Sequence, residues 1–256
     1  MTALVTGAAG SVGRVLGRAI PARLTDVAWD GGKHLDVTNR EQVVGYMATF
    51  RPRIVFHLAG AKHAPQGELD PAHVAAVNIT GTLNVLHAAA LTGAKVVMSS
   101  TCKACDPETA YGASKLIAER AVLNAGGVVV RYFNIPESEG NVFRLWESLP
   151  DSEPIPWTDC WRFFVPIAQC VALTLEAAGM PSGRYAPSPG HARHMHDVAM
   201  DLYPGRRLVQ VPLRRGDRYR EPLKAKSENV QEVNGYLTIT SPHDPVEAEG
   251  AQAAAA

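Results

Sequence analysis

The sequence predicts an α/β fold built on a doubly wound parallel sheet, and three observations carry that reading. Short apolar runs of strand length recur along the first half of the chain, helical patterns fall between them, and a glycine-rich turn stands where the first run gives way to the first helix. Continuous apolar runs fit strands covered on both faces, whereas alternating ones fit a sheet with one wet face. Strands alternating with helices imply parallel pairing through crossover connections.

The first run is Ala3-Leu4-Val5-Thr6, followed by Gly7-Ala8-Ala9-Gly10-Ser11-Val12-Gly13 and a helical pattern to about Ile20. Pro21 stops that helix. Val27-Ala28-Trp29 reads as the second strand, ending at Asp30, and residues 54–59, 95–100 and 127–132 as the next three. Helical patterns cover residues 40–49, 72–91 and 111–124. Asp36-Val37 follows Asp30 so closely that no full crossover helix fits between them, so this part of the sheet is abbreviated. From Ile135 the chain becomes proline-rich with short elements. The expected organisation is a dinucleotide-binding domain over residues 1–134 and a smaller substrate lobe over 135–246, interleaved with the first. An Ala-rich tail over 247–256 is expected to be disordered.

Composition narrows the function classes. With 256 residues, 46% of them apolar and 20% charged, the chain can bury a sizeable core. Its 25 basic residues balance 25 acidic ones, which argues against a nucleic-acid or anionic-membrane partner, since those need a basic surplus. No apolar run approaches the ~20 residues of a membrane span, and the start lacks the charged and apolar regions of a signal peptide. Four cysteines make no disulfide scaffold, so a reducing cytoplasm is expected.

Gly7, Gly10 and Gly13 lie between a strand and a helix, the place where a Rossmann-type turn receives a pyrophosphate at the helix N-terminus. Asp30, 17 residues after Gly13, suits the two ribose hydroxyls and repels a 2′-phosphate, favouring NAD, while Lys33 nearby leaves NADP open. Tyr111 and Lys115, at i and i+4, put a phenol and an ammonium on one helix face. A neighbouring ammonium lowers a phenol from its ordinary pKa of about 10, readying it to take a proton from a sugar hydroxyl.

These motifs, with Val55-Phe56-His57-Leu58-Ala59, Lys62-His63-Ala64-Pro65, Asn78-Ile79-Thr80-Gly81-Thr82, Ser100-Thr101-Cys102-Lys103-Ala104 and Arg131-Tyr132-Phe133-Asn134, come in a recognisable order. Pro154-Ile155-Pro156-Trp157-Thr158-Asp159, Arg162-Phe163-Phe164 and Pro204-Gly205 extend it. From Leu4 to roughly Pro242 the chain resembles the extended short-chain dehydrogenase/reductase family. More closely, it is similar to the CapD-type branch that includes the UDP-N-acetylglucosamine 4,6-dehydratases. The resemblance implies a UDP-sugar substrate, a nicotinamide cofactor and a homodimer. It adds Asp36, Val37, Leu58 and Ala59 to the cofactor site, and Lys62, His63, Asn134, Asn141, Val142, Arg162 and Arg206 to the substrate site. Arg162, Arg206 and Arg207 offer guanidinium forks to a diphosphate.

The branch pattern after the fourth strand is Thr-Asp-Lys, where Asp protonates the departing C6 oxygen and Lys removes the C5 proton. Here Thr101 and Lys103 are kept and Cys102 replaces the acid. A thiol, with a pKa near ~8.5, is already protonated at neutral pH, so Cys102 is the expected proton donor. The expected chemistry is C4 oxidation with Tyr111 as base and Thr101 holding the oxygen, followed by loss of water across C5/C6. The product is a 4-keto-6-deoxy sugar or a 5,6-ene. A UDP-sugar 4-epimerase, which needs no acid/base pair at 102 and 103, is the alternative, and a catalytically silent nucleotide-binding scaffold is another. No metal is expected: Cys102 and Cys105 form a single C-x-x-C, and His191, His194 and His196 read as a solvated loop. His57 reads as a packing residue.

Overall fold

The computed structural model describes residues 2–27 and 33–245. Six parallel strands follow the first half of the chain: β1 (Ala3–Thr6), β2 (Arg23–Asp26), β3 (Lys33–His34), β4 (Ile54–His57), β5 (Lys95–Thr101) and β6 (Val128–Tyr132). They lie side by side as β6-β5-β4-β1-β2-β3. β1, β4 and β6 are buried along their whole length, as continuous apolar runs require.

The second strand is a correction to the sequence reading. It runs over Arg23–Asp26 and pairs Leu4 with Arg23, Val5 with Leu24 and Thr6 with Thr25. Only Thr25 is fully buried there, its hydroxyl donating to the Val5 carbonyl at 2.9 Å, so the strand lacks the continuous apolar signature. Val27 is already 50% exposed. Ala28, Trp29 and Asp30 of the expected strand, and the expected disordered tail, lie outside the described residues.

Helices cover both faces of the sheet. α1 (Ser11–Ala19) sits on one face, and α2 (Arg40–Phe50) on the other. The helix expected over 72–91 is interrupted. After the short α3 (Ala64–Leu69), α4 (Pro71–Ala75) passes through a π turn at Ala76–Thr80 into α5 (Gly81–Thr92). Contrary to the expectation from composition, the stretch Pro71–Thr92 is long and apolar enough to cross a membrane, though 44% of its apolar window is buried within this fold. α6 (Ala110–Asn124) follows β5, after a 3₁₀ turn at Cys102–Ala104.

The second half builds a small lobe and then returns to the sheet. α7 (Val142–Ser148) leads to β7 (Ile155–Thr158) and β8 (Trp161–Arg162), and α8 (Ile167–Glu176) packs beside α1. β9 (Gly183–Pro187) joins the main sheet parallel to β6. β10 (Arg193–His194) pairs with β8, α9 (Met195–Leu202) follows, and β11 (Leu208–Val211) pairs in parallel with β7. The hairpin of β12 (Asn229–Val233) and β13 (Tyr236–Thr240) then closes the sheet edge against β9. The lobe has its own core of Trp146, Ile155, Cys160, Met195 and Val198, with the Trp146 indole donating to Pro156 O at 2.7 Å.

A buried ion cluster ties the halves together beneath the ends of β5 and β6. Glu119 of α6 accepts from Ser100 Oγ at 2.5 Å, Arg131 Nη2 at 2.6 Å and Arg184 Nε at 2.9 Å. Arg131 also reaches both oxygens of Glu228, at 2.9 and 3.0 Å, and Arg184 meets Asp244 at 3.0 Å. Arg131 and Glu119 are fully shielded from solvent. Isolated charges at such depth are prohibitively costly, so the cluster holds together as a unit.

Candidate active site

β1 runs directly into Gly7, which adopts φ +68°. A Cβ there would stand 2.5 Å from the backbone nitrogen of Ala59, and one on Gly13 would stand 2.4 Å from Gly7 O. The turn therefore packs β1, α1 and the loop after β4 closer than any side chain permits. α1 begins with no side-chain cap at Gly10, leaving its first backbone N–H groups without side-chain partners. Gly7, Gly10 and Gly13 line a cavity of about 1610 Å³. That cavity exceeds the roughly 300–1,000 Å³ of an ordinary ligand pocket and has room for two ligands.

The uncapped helix start and the close glycine turn fit a dinucleotide pyrophosphate. Asp26 stands at the end of β2, where the acidic residue was expected at 30. One of its oxygens accepts from Ala9 N at 2.9 Å and the other from Val27 N at 2.7 Å, and the residue lines the cavity. Asp36, Val37, Leu58 and Ala59 line the same arm, whereas Lys33 does not.

Thr101, Lys103, Tyr111 and Lys115 come together on the cavity wall. α6 is capped by Thr109, whose hydroxyl oxygen accepts from Gly112 N at 3.0 Å. A Cβ on Gly112 would stand 2.3 Å from Lys103 O, so glycine next to Tyr111 is what allows the helix to lie against the 3₁₀ turn. Burial raises the Tyr111 phenol, and the Lys103 ammonium and the Thr101 side chain offset this only in part, so the phenol stays above its ordinary value rather than below it as the sequence suggested. Lys103 is a cation that acts on the phenol, and Lys115 lines the same cavity. Lys115 is 5% exposed, and burial brings it down to about 8 against the opposing pull of the Glu119 carboxylate.

Asn78, in the π turn, fixes the loop opposite. It accepts from Ala61 N at 2.8 Å and donates to Ala61 O at 3.0 Å and to Ser114 Oγ at 2.9 Å. Such π turns recur at functional sites. His57 is fully buried, held between Thr6 Oγ1 at 2.8 Å and Thr82 Oγ1 at 3.0 Å, and burial keeps it neutral with a pKa of about 3.

Sequence reasoning missed Glu221. It lies in the segment between β11 and β12 and is only 2% exposed, yet it lines the cavity. Its Oε1 meets Lys103 Nζ at 2.5 Å and Arg162 Nε at 3.4 Å. Its Oε2 accepts from Asn134 Nδ2 at 2.6 Å and from the Cys102 thiol at 3.4 Å. Burial alone would raise this carboxyl, but Lys103 and then Arg162 hold it down to about 2. Burial likewise disfavours the Lys103 ammonium, and Glu221 more than reverses that.

Cys102 is not where its expected role needs it. The side chain is 1% exposed, packs in the main core and is not part of the cavity lining, while burial, and then Glu221, push its thiol up. The thiol that was expected to reach the sugar reaches Glu221 instead. Cys105, the other half of C-x-x-C, is buried and accepts from Arg131 Nη1 at 3.1 Å. All four cysteines are free.

Of the expected substrate residues, Lys62, His63, Asn134, Asn141, Val142 and Arg162 line the cavity. Asn141 is also the cap of α7, accepting from Arg144 N at 3.1 Å. Arg206 does not line it: its guanidinium is committed to the carbonyls of Pro150 and Glu153 and lies over Tyr203. His194 pairs with Asp159 at 2.9 Å beside Trp157 and Trp161. Among the described residues no cluster of three or more His, Cys, Asp or Glu is placed to hold a metal.

Residues 33–240 match the family described as polysaccharide biosynthesis protein. The chain is 30% identical to the probable polysaccharide biosynthesis protein EpsC of Bacillus subtilis (strain 168) over 89% of its own length and 45% of that protein. It is 27% identical to the inverting UDP-N-acetylglucosamine 4,6-dehydratase of Campylobacter jejuni subsp. jejuni serotype O:2, over 80% of this chain and 66% of that one. It spans under half the length of EpsC. Among solved structures it is similar to Pen from Bacillus thuringiensis, with TM-score 0.82 and 25% identity over 94% of this chain and 88% of that one. The UDP-glucose 4-epimerase of Thermus thermophilus, solved with NAD, shares the fold at TM-score 0.77 and 23% identity, over 88% of this chain and 90% of that one.

Proposed function

The chain belongs to the polysaccharide biosynthesis protein family, and we propose that it is a nucleotide-sugar dehydratase acting on UDP-N-acetylglucosamine or a close UDP-hexose. The observation that carries this reading is the meeting of Tyr111 and Lys103 on one cavity wall, the phenol feeling the ammonium. An epimerase needs the phenol alone, whereas elimination needs a second base. The likeness to a dehydratase supports the substrate class.

The glycine turn and α1 hold a dinucleotide, and Asp26 at the end of β2 favours NAD over NADP by the logic of ribose hydroxyl recognition. When bound, that nicotinamide supplies a hydride acceptor for C4 and the hydride that comes back, to C6 for a 4-keto-6-deoxy sugar or to C4 for a 5,6-ene. Tyr111 takes the C4 hydroxyl proton while Thr101 holds the oxygen. Lys103, once neutral, takes the C5 proton. Leu83 and Leu91 of α5 and Ile117 of α6, each about half exposed or more, support a homodimer through these helices.

The test is incubation with UDP-N-acetylglucosamine and NAD, with mass spectrometry and NMR of the product. Loss of one water supports dehydration, and Tyr111→Phe abolishes it. A product of unchanged mass with inverted C4 makes the chain an epimerase. Unaltered sugar, with cellular function preserved in Tyr111→Phe, makes it a scaffold.

A further inference from the structure

We propose that Glu221 is the general acid of the elimination, working with Lys103 as one proton-neutral pair. The inference rests on the dehydratase reading and deepens it. A donor to the C6 oxygen must line the sugar cavity and must recover its proton after each turnover. Cys102 fails the first condition, being 1% exposed and absent from the lining. Glu221 lines the cavity, and a proton source, Lys103 Nζ, lies 2.5 Å from its Oε1. The segment that brings Glu221 here is 118 residues from Lys103 in sequence.

The proton balance of the elimination step closes within the pair. In the resting protein it is an ammonium and a carboxylate. One proton crosses the short Nζ–Oε1 contact, giving an amine and a carboxylic acid with no change in net charge. In the resting protein the mutual attraction of the pair, with Arg162 beside it, outweighs burial and keeps both groups charged; a substrate that seals the cavity adds desolvation, which penalises the charged arrangement and lets the neutral one form. The amine then takes the C5 proton, the C5–H electrons become the C5=C6 π bond, and the C6–O bond breaks. The leaving oxygen takes the carboxyl proton and departs as water. For the 5,6-ene, Lys103 ends as ammonium and Glu221 as carboxylate, ready for the next turnover; for the 4-keto-6-deoxy sugar, the ammonium returns its proton to C5 as hydride reaches C6, and the proton that Tyr111 took from the C4 hydroxyl passes back to the pair.

Cys102 and Asn134 complete the pair as positioning residues. Both donate to Oε2, at 3.4 and 2.6 Å, so the Lys103 contact falls on Oε1, which Arg162 Nε also faces at 3.4 Å. The thiol, replaced in turn, is expected to matter less than the carboxylate.

The experiment compares parent, Glu221→Gln and Cys102→Ser with UDP-N-acetylglucosamine and NAD in deuterated buffer. Water release is read by mass spectrometry, deuterium at C5 of recovered sugar nucleotide by NMR, and UDP affinity by calorimetry. Glutamine keeps the size and loses the proton, so water release is expected to fall by about 100-fold or more. UDP binding and C5 exchange persist, because Lys103, freed of its counter-ion, loses its proton more readily. Cys102→Ser is expected to stay within about tenfold of the parent.

Glu221→Gln releasing water within about threefold of the parent overturns the proposal. So does a parallel loss of exchange and water release with UDP binding intact, which marks a purely structural residue. Should Glu221→Gln fail to fold, Glu221→Asp decides: a carboxylate one methylene shorter keeps measurable water release, and complete loss in the folded Asp variant overturns the idea. A parent that only epimerises sinks the dehydratase reading itself, whereas a water-releasing parent with an indifferent Gln variant sinks Glu221 alone.

Discussion

Glu119→Gln removes the central carboxylate of the buried cluster at almost constant volume, so its effect is electrostatic. In the parent, Glu119 and Glu228 face Arg131 and Arg184, with side-chain exposures of 0, 4, 0 and 2%. The variant leaves two shielded guanidiniums with Glu228 and, for Arg184, the partly exposed Asp244. Breaking a buried pair on one side costs about 3–5 kcal/mol, and the surviving contacts put this case near the lower end. For a domain of this size each kcal/mol moves Tm by about 2–4 °C, so a fall of about 6–12 °C is expected by calorimetry at neutral pH. The pH dependence has a definite sign. Burial raises Glu119, but Arg131 and Arg184 bring it below the ordinary carboxylate range. Its stabilisation is therefore complete above that range and fades as pH falls through the folded value, where the parent comes to resemble the variant. A Tm within about 2 °C of the parent at neutral pH, or a gap that stays constant into acid, refutes this account of the cluster. The site registers the change as well. Burial lowers Lys115 and Glu119 raises it, so in the variant Lys115 falls below about 8 and its deprotonation shows at lower pH in the kcat/KM profile.

Two further outcomes follow from the cavity wall. Asp26→Asn removes the charge that a 2′-phosphate would meet beside Ala9. Its preference for NAD over NADP, measured by fluorescence titration, should drop on the order of tenfold, and an unchanged ratio means that another residue selects the cofactor. Gly112→Ala forces a methyl to within 2.3 Å of Lys103 O. Separating α6 from the 3₁₀ turn displaces Tyr111 from Lys103, so kcat should fall about 100-fold, and a variant with parental turnover removes the contact from the argument.

What could be read from the chain depended on how locally each feature is encoded. β1, the glycine turn and the Tyr111/Lys115 spacing are contiguous, and each lies where its pattern says. β2 escaped because Arg23-Leu24-Thr25-Asp26 buries only a threonine, satisfied by a backbone carbonyl, so apolar periodicity has nothing to detect. With β2 ending at Asp26, a carboxylate stands at that strand end, on the cavity wall. The π turn hid in an otherwise continuous helical pattern, although it carries Asn78, which holds Ala61 and Ser114. Arg206 looked like a diphosphate ligand because an arginine carries no sequence mark for being occupied by carbonyls of its own lobe.

The misreading at Cys102 has a deeper cause. A motif assigns roles by adjacency, and an acid next to Lys103 in sequence is the natural expectation. The fold brings the acid from the segment before β12, through the same lobe contacts that place Asn134 and Arg162 around it. An aspartate at residue 102 would set a second carboxylate beside Glu221, where a thiol now stands 3.4 Å from Oε2. Two carboxylates so close share a proton, and either one of them can carry it. A neutral thiol ends that sharing: it donates a hydrogen bond without adding charge and leaves Lys103 with one carboxylate partner. The substitution that seemed to weaken the elimination machinery thus concentrates the proton on Glu221.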